Sequence, residues 1–229
     1  MKRIGLLALK KTIPVMGTYV TLGIGFGMLL EKNGFGVWWA LAMSVFIYAG
    51  AMQYVAVGLL ASGVSLLSAA FTTFTVNVRH FFYGISMIGR YRETGKAKPY
   101  LFFALTDETY SLVCTDDELQ EADRKRYYLL LSALNQSYWV CGCVTGSLLS
   151  SAFAFDSAGI EFSMTALFVT VFLEQWMGEK EHGPALMGIG ISALCLLLFG
   201  GEYFLIPTML LTAAGLALYR KRKQRGEAR

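Results

Sequence analysis

The sequence predicts an all-α integral membrane protein, a bundle of six to eight transmembrane helices, on three observations. Of its 229 residues, 55% are hydrophobic and only 16% charged, where a soluble domain carries about 25% charged residues. The apolar residues gather into long runs, and a spanning helix needs roughly 20 of them. The runs lack the alternating period of a membrane barrel, which leaves helices to satisfy the backbone in hydrocarbon.

In chain order the runs cover 12–30, 37–61, 64–89, 100–114, 127–151, 162–178, 184–200 and 203–219. The connections carry turn chemistry at Asn33-Gly34, Ser62-Gly63, Gly95, Asp156 and Gly183-Pro184, as short loops between packed helices require. Almost nothing remains for a soluble domain, so the chain reads as a single transmembrane domain, 1–229. A weak internal echo relates 12–114 to 127–219. Gly17, Gly23, Gly25 and Gly27 in one half, and Gly142 and Gly146 in the other, each precede an apolar segment ending near a glutamine, Gln53 or Gln175.

The net charge of +4 does not point to nucleic acid, because the basic residues sit at the ends and in short connections. They read as topology signals. Arg220, Lys221, Arg222, Lys223, Arg225 and Arg229 place the C-terminus in the cytoplasm, and Lys2, Arg3, Lys10 and Lys11 place the N-terminus there too. The N-terminal stretch has too few apolar residues for a cleaved signal peptide. Both ends on one side demand an even number of crossings. The loop 90–98, with Arg90, Arg92, Lys96 and Lys98, would then follow an odd number from a cytoplasmic start. Re-entrant or broken helices within 64–114 would remove the conflict, since 100–114 is short for a span. Eight plain crossings with one basic outer loop is the alternative.

Cys114, Cys141, Cys143 and Cys195 lie in or beside apolar stretches, where a thiol acts as a small hydrophobe. Cys141 and Cys143 fall on different helix faces with no histidine near them, so neither a disulfide framework nor a metal site is expected.

The run Asn77-Val-Arg-His-Phe-Phe-Tyr-Gly84 is the most informative feature. Arg79 precedes Arg90 by eleven residues, about 16 Å along a helix. That depth is mid-membrane, where an arginine faces the bundle interior or a wet cavity, has a partner, and counts as a functional candidate. The competing reading is an arginine that snorkels to an interface. Thr106-Asp-Glu-Thr-Tyr110 places two carboxylates about as far from the basic loop. Asp107 or Glu108 can neutralise Arg79, and the other can carry a proton or hold an ammonium group; a purely structural ion pair is the plain alternative. His80 is either a proton relay or a hydrogen-bonded core residue, and His182 is read as solvated. Ala49-Gly-Ala-Met-Gln53 either packs helices or lines a cavity, with Gln53 a candidate polar contact there. The run Gly17 to Gly27, with Thr21 and Gly23, either packs helices or exposes backbone to a substrate. Glu174 and Gln175 are read as interfacial.

Those three motifs, in this order and spacing, resemble the AzlC family, and the resemblance covers essentially the whole chain. It implies a permease of the bacterial inner membrane that exports branched-chain amino acids, in some members also methionine. It also implies a second subunit, a small hydrophobic membrane protein of the AzlD type. A zwitterionic amino acid needs a cationic or helix-N-terminal site for its carboxylate, an anionic or carbonyl site for its ammonium, and an apolar pocket for its side chain. From the residues, Arg79 is assigned to the first, Asp107 or Glu108 to the second, and Phe81, Phe82 or Tyr83 to the third, with Asn77 beside them. No zinc-protease, nucleophile-elbow or phosphate-loop motif is present, so neither an enzyme nor a cofactor is expected. A channel-like pore and a non-transporting assembly subunit are the competing classes.

Overall fold

The computed structural model describes residues 2–114, 121–153 and 181–204 without interruption, and scattered residues within 162–177 and 207–219. Every regular element among them is helical. The chain divides into two compact units, 1–167 and 168–229.

The first unit is built on two long helices. α1 (Lys2–Lys32) runs through Pro14 without breaking. It ends at the predicted Asn33-Gly34 turn, where Gly34 takes the left-handed φ of 83° and its N–H donates to Glu31 O at 2.9 Å. α7 (Glu121–Ala152) is the second long helix. α1 and α7 run parallel: Ile4 and Tyr127 share one cluster, Gly23 meets Gly142, and Glu31 accepts from the Ser147 hydroxyl. A Cβ at Gly23 would stand 3.0 Å from Gly142 Cα, and one at Gly142 would stand 3.1 Å from Gly23 Cα. Gly27 presses on the Cys143 carbonyl and Gly146 on that of Ile24 in the same way. Two glycine pairs spaced by four therefore face each other, which lets the backbones touch as helices do in membranes. Gly23 and Gly27 of the α1 glycine run are thus a packing surface. Gly17, higher in the same run, has nothing within 4 Å, and Gly17→Ala is expected to leave the melting temperature of purified protein unchanged.

Between these helices the chain makes two hairpins. The run 37–61, read from sequence as one continuous segment, breaks into α2 (Val37–Phe46) and α3 (Gly50–Ser62). The break is at Tyr48, the single described non-glycine residue with positive φ, 45°, whose ring is buried. Val45 O accepts from Gln136, Gly50 lies against the Trp139 ring, and Tyr54 reaches up to Leu22 and Phe26. α2 therefore descends α7 and α3 climbs back.

At the predicted Ser62-Gly63 turn, Gly63 takes φ 61° and Ser65 caps the next helix by accepting from Ser68 N. α4 (Leu66–Met87) is continuous over 22 residues. The break expected within 64–114 therefore falls on the second segment only, which splits into α5 (Lys98–Phe103) and α6 (Asp107–Cys114). α6 runs alongside α4, with Arg79 at Asp107, Tyr83 at Tyr110, and Arg90 donating to Val113 O and Cys114 O. That last contact brings the end of α6 back beside the loop from which α5 departs. α5–α6 is a hairpin open at the α1 N-terminal end, α2–α3 one open at the other end, and their tips meet where Tyr48 packs on Phe103, ring centres 6.2 Å apart.

This architecture disposes of the charge conflict. α1 and α4 traverse the unit in opposite senses while α2–α3 returns to its starting end. The basic loop 90–98 therefore lies at the end that holds the start of α1 and of α7. One cluster there joins Ile4, Ala8, Met87, Tyr91, Leu101 and Tyr127.

The second unit contains α8 (Gly183–Tyr203), which opens with Pro184 in its first turn and kinks at Gly200, φ 71°. His182, expected to be solvated, is half-buried and stacks on Trp176 with ring centres 4.1 Å apart. Two described helical stretches are long and apolar enough to cross a membrane, Ile4–Lys32 and Gly183–Gly200. The acidic stretch with Asp156 and Glu161, the pair Glu174 and Gln175, and the basic tail from Arg220 lie outside the described residues.

Candidate functional site

The tips of the two hairpins meet inside a buried polar network. Thr106 ends the break of the second hairpin and caps α6: its hydroxyl accepts from Thr109 N at 3.3 Å and donates to Thr109 Oγ1 at 3.0 Å. The same hydroxyl is 2.6 Å from that of Tyr19 on α1, which donates to Glu108 Oε2, also at 2.6 Å. Asn135 on α7 donates from Nδ2 to Thr109 Oγ1 at 3.0 Å. One helical turn further along α7, Trp139 packs edge-on to the Tyr19 ring and donates from its indole N–H to Gln53 Oε1 at 2.8 Å. Gln53, Thr109 and Asn135 are fully buried.

Replacing Thr106 with valine removes the cap and two hydroxyl contacts while keeping the shape. Thr106→Val is expected to cost about 1–2 kcal/mol, read as a lower melting temperature that Thr106→Ser restores.

Beside this network Arg79 Nη1 meets Asp107 Oδ2 at 2.7 Å, with the two side chains 33% and 18% exposed. Asp107 is therefore the carboxylate that neutralises Arg79, and Glu108 is turned to Tyr19. Both acids also lie in the first turn of α6, where the helix dipole favours negative charge. Asn77 is half-buried on α4, two residues before Arg79 and so on a different face of the helix. His80 sits edge-on to Tyr83, which stacks on Tyr110 at 4.5 Å.

The remaining sequence candidates fall elsewhere. Phe81 and Phe82 are 65% and 61% exposed. Thr21 is exposed on α1, and Gly23 is occupied by the α7 backbone. Conversely Tyr19, Asn135 and Trp139 were not singled out by the sequence. Their signal was present as the polar cluster Asn135-Gln136-Ser137 and a buried tryptophan inside an apolar run.

A helical protein with two opposed, broken-helix hairpins closing on buried polar groups is of the kind that membrane-transport folds use to expose backbone and side chains away from lipid. The comparisons make the assignment specific. The family described as AzlC protein matches residues 14–153, which include every residue of the network. The branched-chain amino acid transport protein AzlC of Bacillus subtilis is 41% identical over 94% of this chain and 85% of its own length. An uncharacterized membrane protein of Helicobacter pylori is 42% identical over 93% and 94%. The inner membrane protein YgaZ of Escherichia coli is 29% identical over 88% and 83%. No solved structure matches. The chain belongs to the AzlC family.

Proposed function

We propose that this chain is the large subunit of a secondary exporter of branched-chain amino acids, valine, leucine and isoleucine and also methionine, in the bacterial inner membrane. The observation that carries the proposal is the meeting of the two hairpin tips on the network of Gln53, Thr106, Glu108 and Asn135, next to the Arg79–Asp107 pair. Substrate and coupling sites of secondary transporters form at broken helices of this kind. The name of the Bacillus subtilis relative supplies the substrate class. A small hydrophobic membrane subunit of the AzlD type completes the exporter, and the N-terminal end of unit 1, with its basic loops, faces the cytoplasm. With no nucleotide-binding motif in the chain, the driving force is an ion gradient, the membrane potential or another subunit.

A pore is the second reading, favoured by one feature: both inner half-helices, α3 and α6, start at the centre, an arrangement that also suits a selective channel. The test is efflux of preloaded labelled valine from cells expressing the chain with and without its small partner. Export predicts saturable efflux that requires the partner and collapses with the gradient. Flux that stays linear with concentration and ignores the gradient would replace the exporter with a pore.

A further inference from the structure

The two inner half-helices meet the centre in opposite electrical states. α6 begins with a threonine cap and two acids. α3 begins with neither: Ala49 supplies no cap, and no acidic residue lies in its first turn. The first amides of a helix have no partner within it, and here the surrounding residues Ala51, Met52 and Gln53 are buried. Helical side chains tilt toward the N-terminus of their helix, so the Gln53 carboxamide lies toward those amides. Its Oε1 is taken by Trp139, while Nε2, on a residue with no exposed surface, has no partner. At the other end of the Tyr19–Trp139 pair the orphan is an acceptor. Asn135 donates to Thr109, but its Oδ1 is unpartnered although the residue is fully buried. Glu108, the residue before Thr109, accepts from the Tyr19 hydroxyl, and Arg79 is bridged to Asp107.

Buried polar groups are normally satisfied, and an unsatisfied one asks for a missing partner. Here an unmet donor sits near the start of an uncapped helix, and an unmet acceptor belongs to the side chain that holds Thr109, the residue after Glu108. The first suits an anion, the second a cation. Resting on the transport reading above, we infer that this patch binds the backbone of an α-amino acid: its carboxylate at the α3 N-terminus and Gln53 Nε2, its ammonium at Glu108 and Asn135 Oδ1. Arg79, assigned to the carboxylate from the sequence, is bridged through Nη1 to Asp107, and in this proposal serves as that acid's counter-ion. Leucine is thus recognised by its two charged groups where the two hairpin tips meet.

The test uses the full chain with its small partner, purified in detergent for equilibrium binding of labelled leucine and reconstituted in vesicles for counterflow. The competitors are 4-methylpentanoate, which lacks the ammonium, and 3-methylbutylamine, which lacks the carboxylate. Two isosteric variants keep the observed contacts. Gln53→Glu retains an oxygen for Trp139 but turns the orphan donor into an acceptor. Glu108→Gln retains an oxygen for Tyr19 but removes the charge. Each is expected to weaken leucine binding at least about tenfold, the size of a lost hydrogen bond to a charged group. Both analogues should compete at least about tenfold more weakly than leucine in the native protein. Gln53→Glu should leave competition by 3-methylbutylamine unchanged, and Glu108→Gln that by 4-methylpentanoate. Native leucine binding and counterflow with both variants matching the native protein would overturn the inference and leave transport standing, the orphans then being met by water. A native complex that neither binds nor exchanges any of the four amino acids would overturn both.

Discussion

Arg79→Ala is expected to reduce valine efflux on the order of 100-fold at matched membrane levels. The substitution strands the Asp107 carboxylate, whose Oδ2 now meets Arg79 Nη1 at 2.7 Å. Removing one partner of a buried ion pair costs about 3–5 kcal/mol, and the low end applies because Arg79 remains 33% exposed. That folding cost is read as lower folded yield; if the pair must also break and re-form in the transport cycle, about 3 kcal/mol of interaction lost from that step slows efflux roughly 100-fold. The double variant Arg79→Ala with Asp107→Asn separates two roles. It removes both charges, so any damage caused by a stranded carboxylate disappears and folded yield recovers. If the pair opens and closes during the transport cycle, efflux stays low in the double variant. Full recovery of efflux would reduce the pair to a structural bridge between α4 and α6. Arg79→Lys should fall between, since an ammonium on a shorter reach replaces a planar fork.

The location of that pair was legible in the sequence because charge in an apolar run is conspicuous: only Arg79 and the Asp107-Glu108 doublet stand so deep between basic loops. Which acid takes the arginine was not legible, for adjacent residues on a helix point in different directions, and only the placement of α1 turns Glu108 toward Tyr19. The helical class followed from composition, and the turns at Asn33-Gly34 and Ser62-Gly63 followed from residues that accept positive φ. The break at Tyr48 left no such mark. No glycine or proline sits at 47–49; a bulky residue holds a left-handed backbone because its ring is buried against its neighbours, Phe103 among them. Tertiary packing overrode local preference there, and the run 37–61 was read as one segment. The conflict posed by the basic loop was the trace of that hidden hairpin. Likewise Asn135 and Trp139 on a mostly apolar helix announce no role until Thr109 and Gln53 are placed against them.

The helix contact that holds those groups in register yields the other large effect. Gly146→Leu is expected to destroy the folded unit, since even the first carbon of the new side chain would collide with the Ile24 carbonyl. That obstacle is backbone, which cannot rotate aside as a side chain can, so α1 and α7 must separate. Overpacking of a fitted interface costs about 1–3 kcal/mol and more when backbone must move. Separation also pulls Tyr19 on α1 from Trp139 and from the α6 cap, so the polar network and the interface fail together. Gly27→Leu, which meets the Cys143 carbonyl from the other side, should do the same. The measurement is the monodisperse fraction of detergent-extracted protein by gel filtration, with Gly17→Leu as the control, because open space surrounds Gly17. Equal monodisperse yields for Gly146→Leu and Gly17→Leu would mean that the two helices do not touch through their glycines, and the parallel α1–α7 core would have to be abandoned.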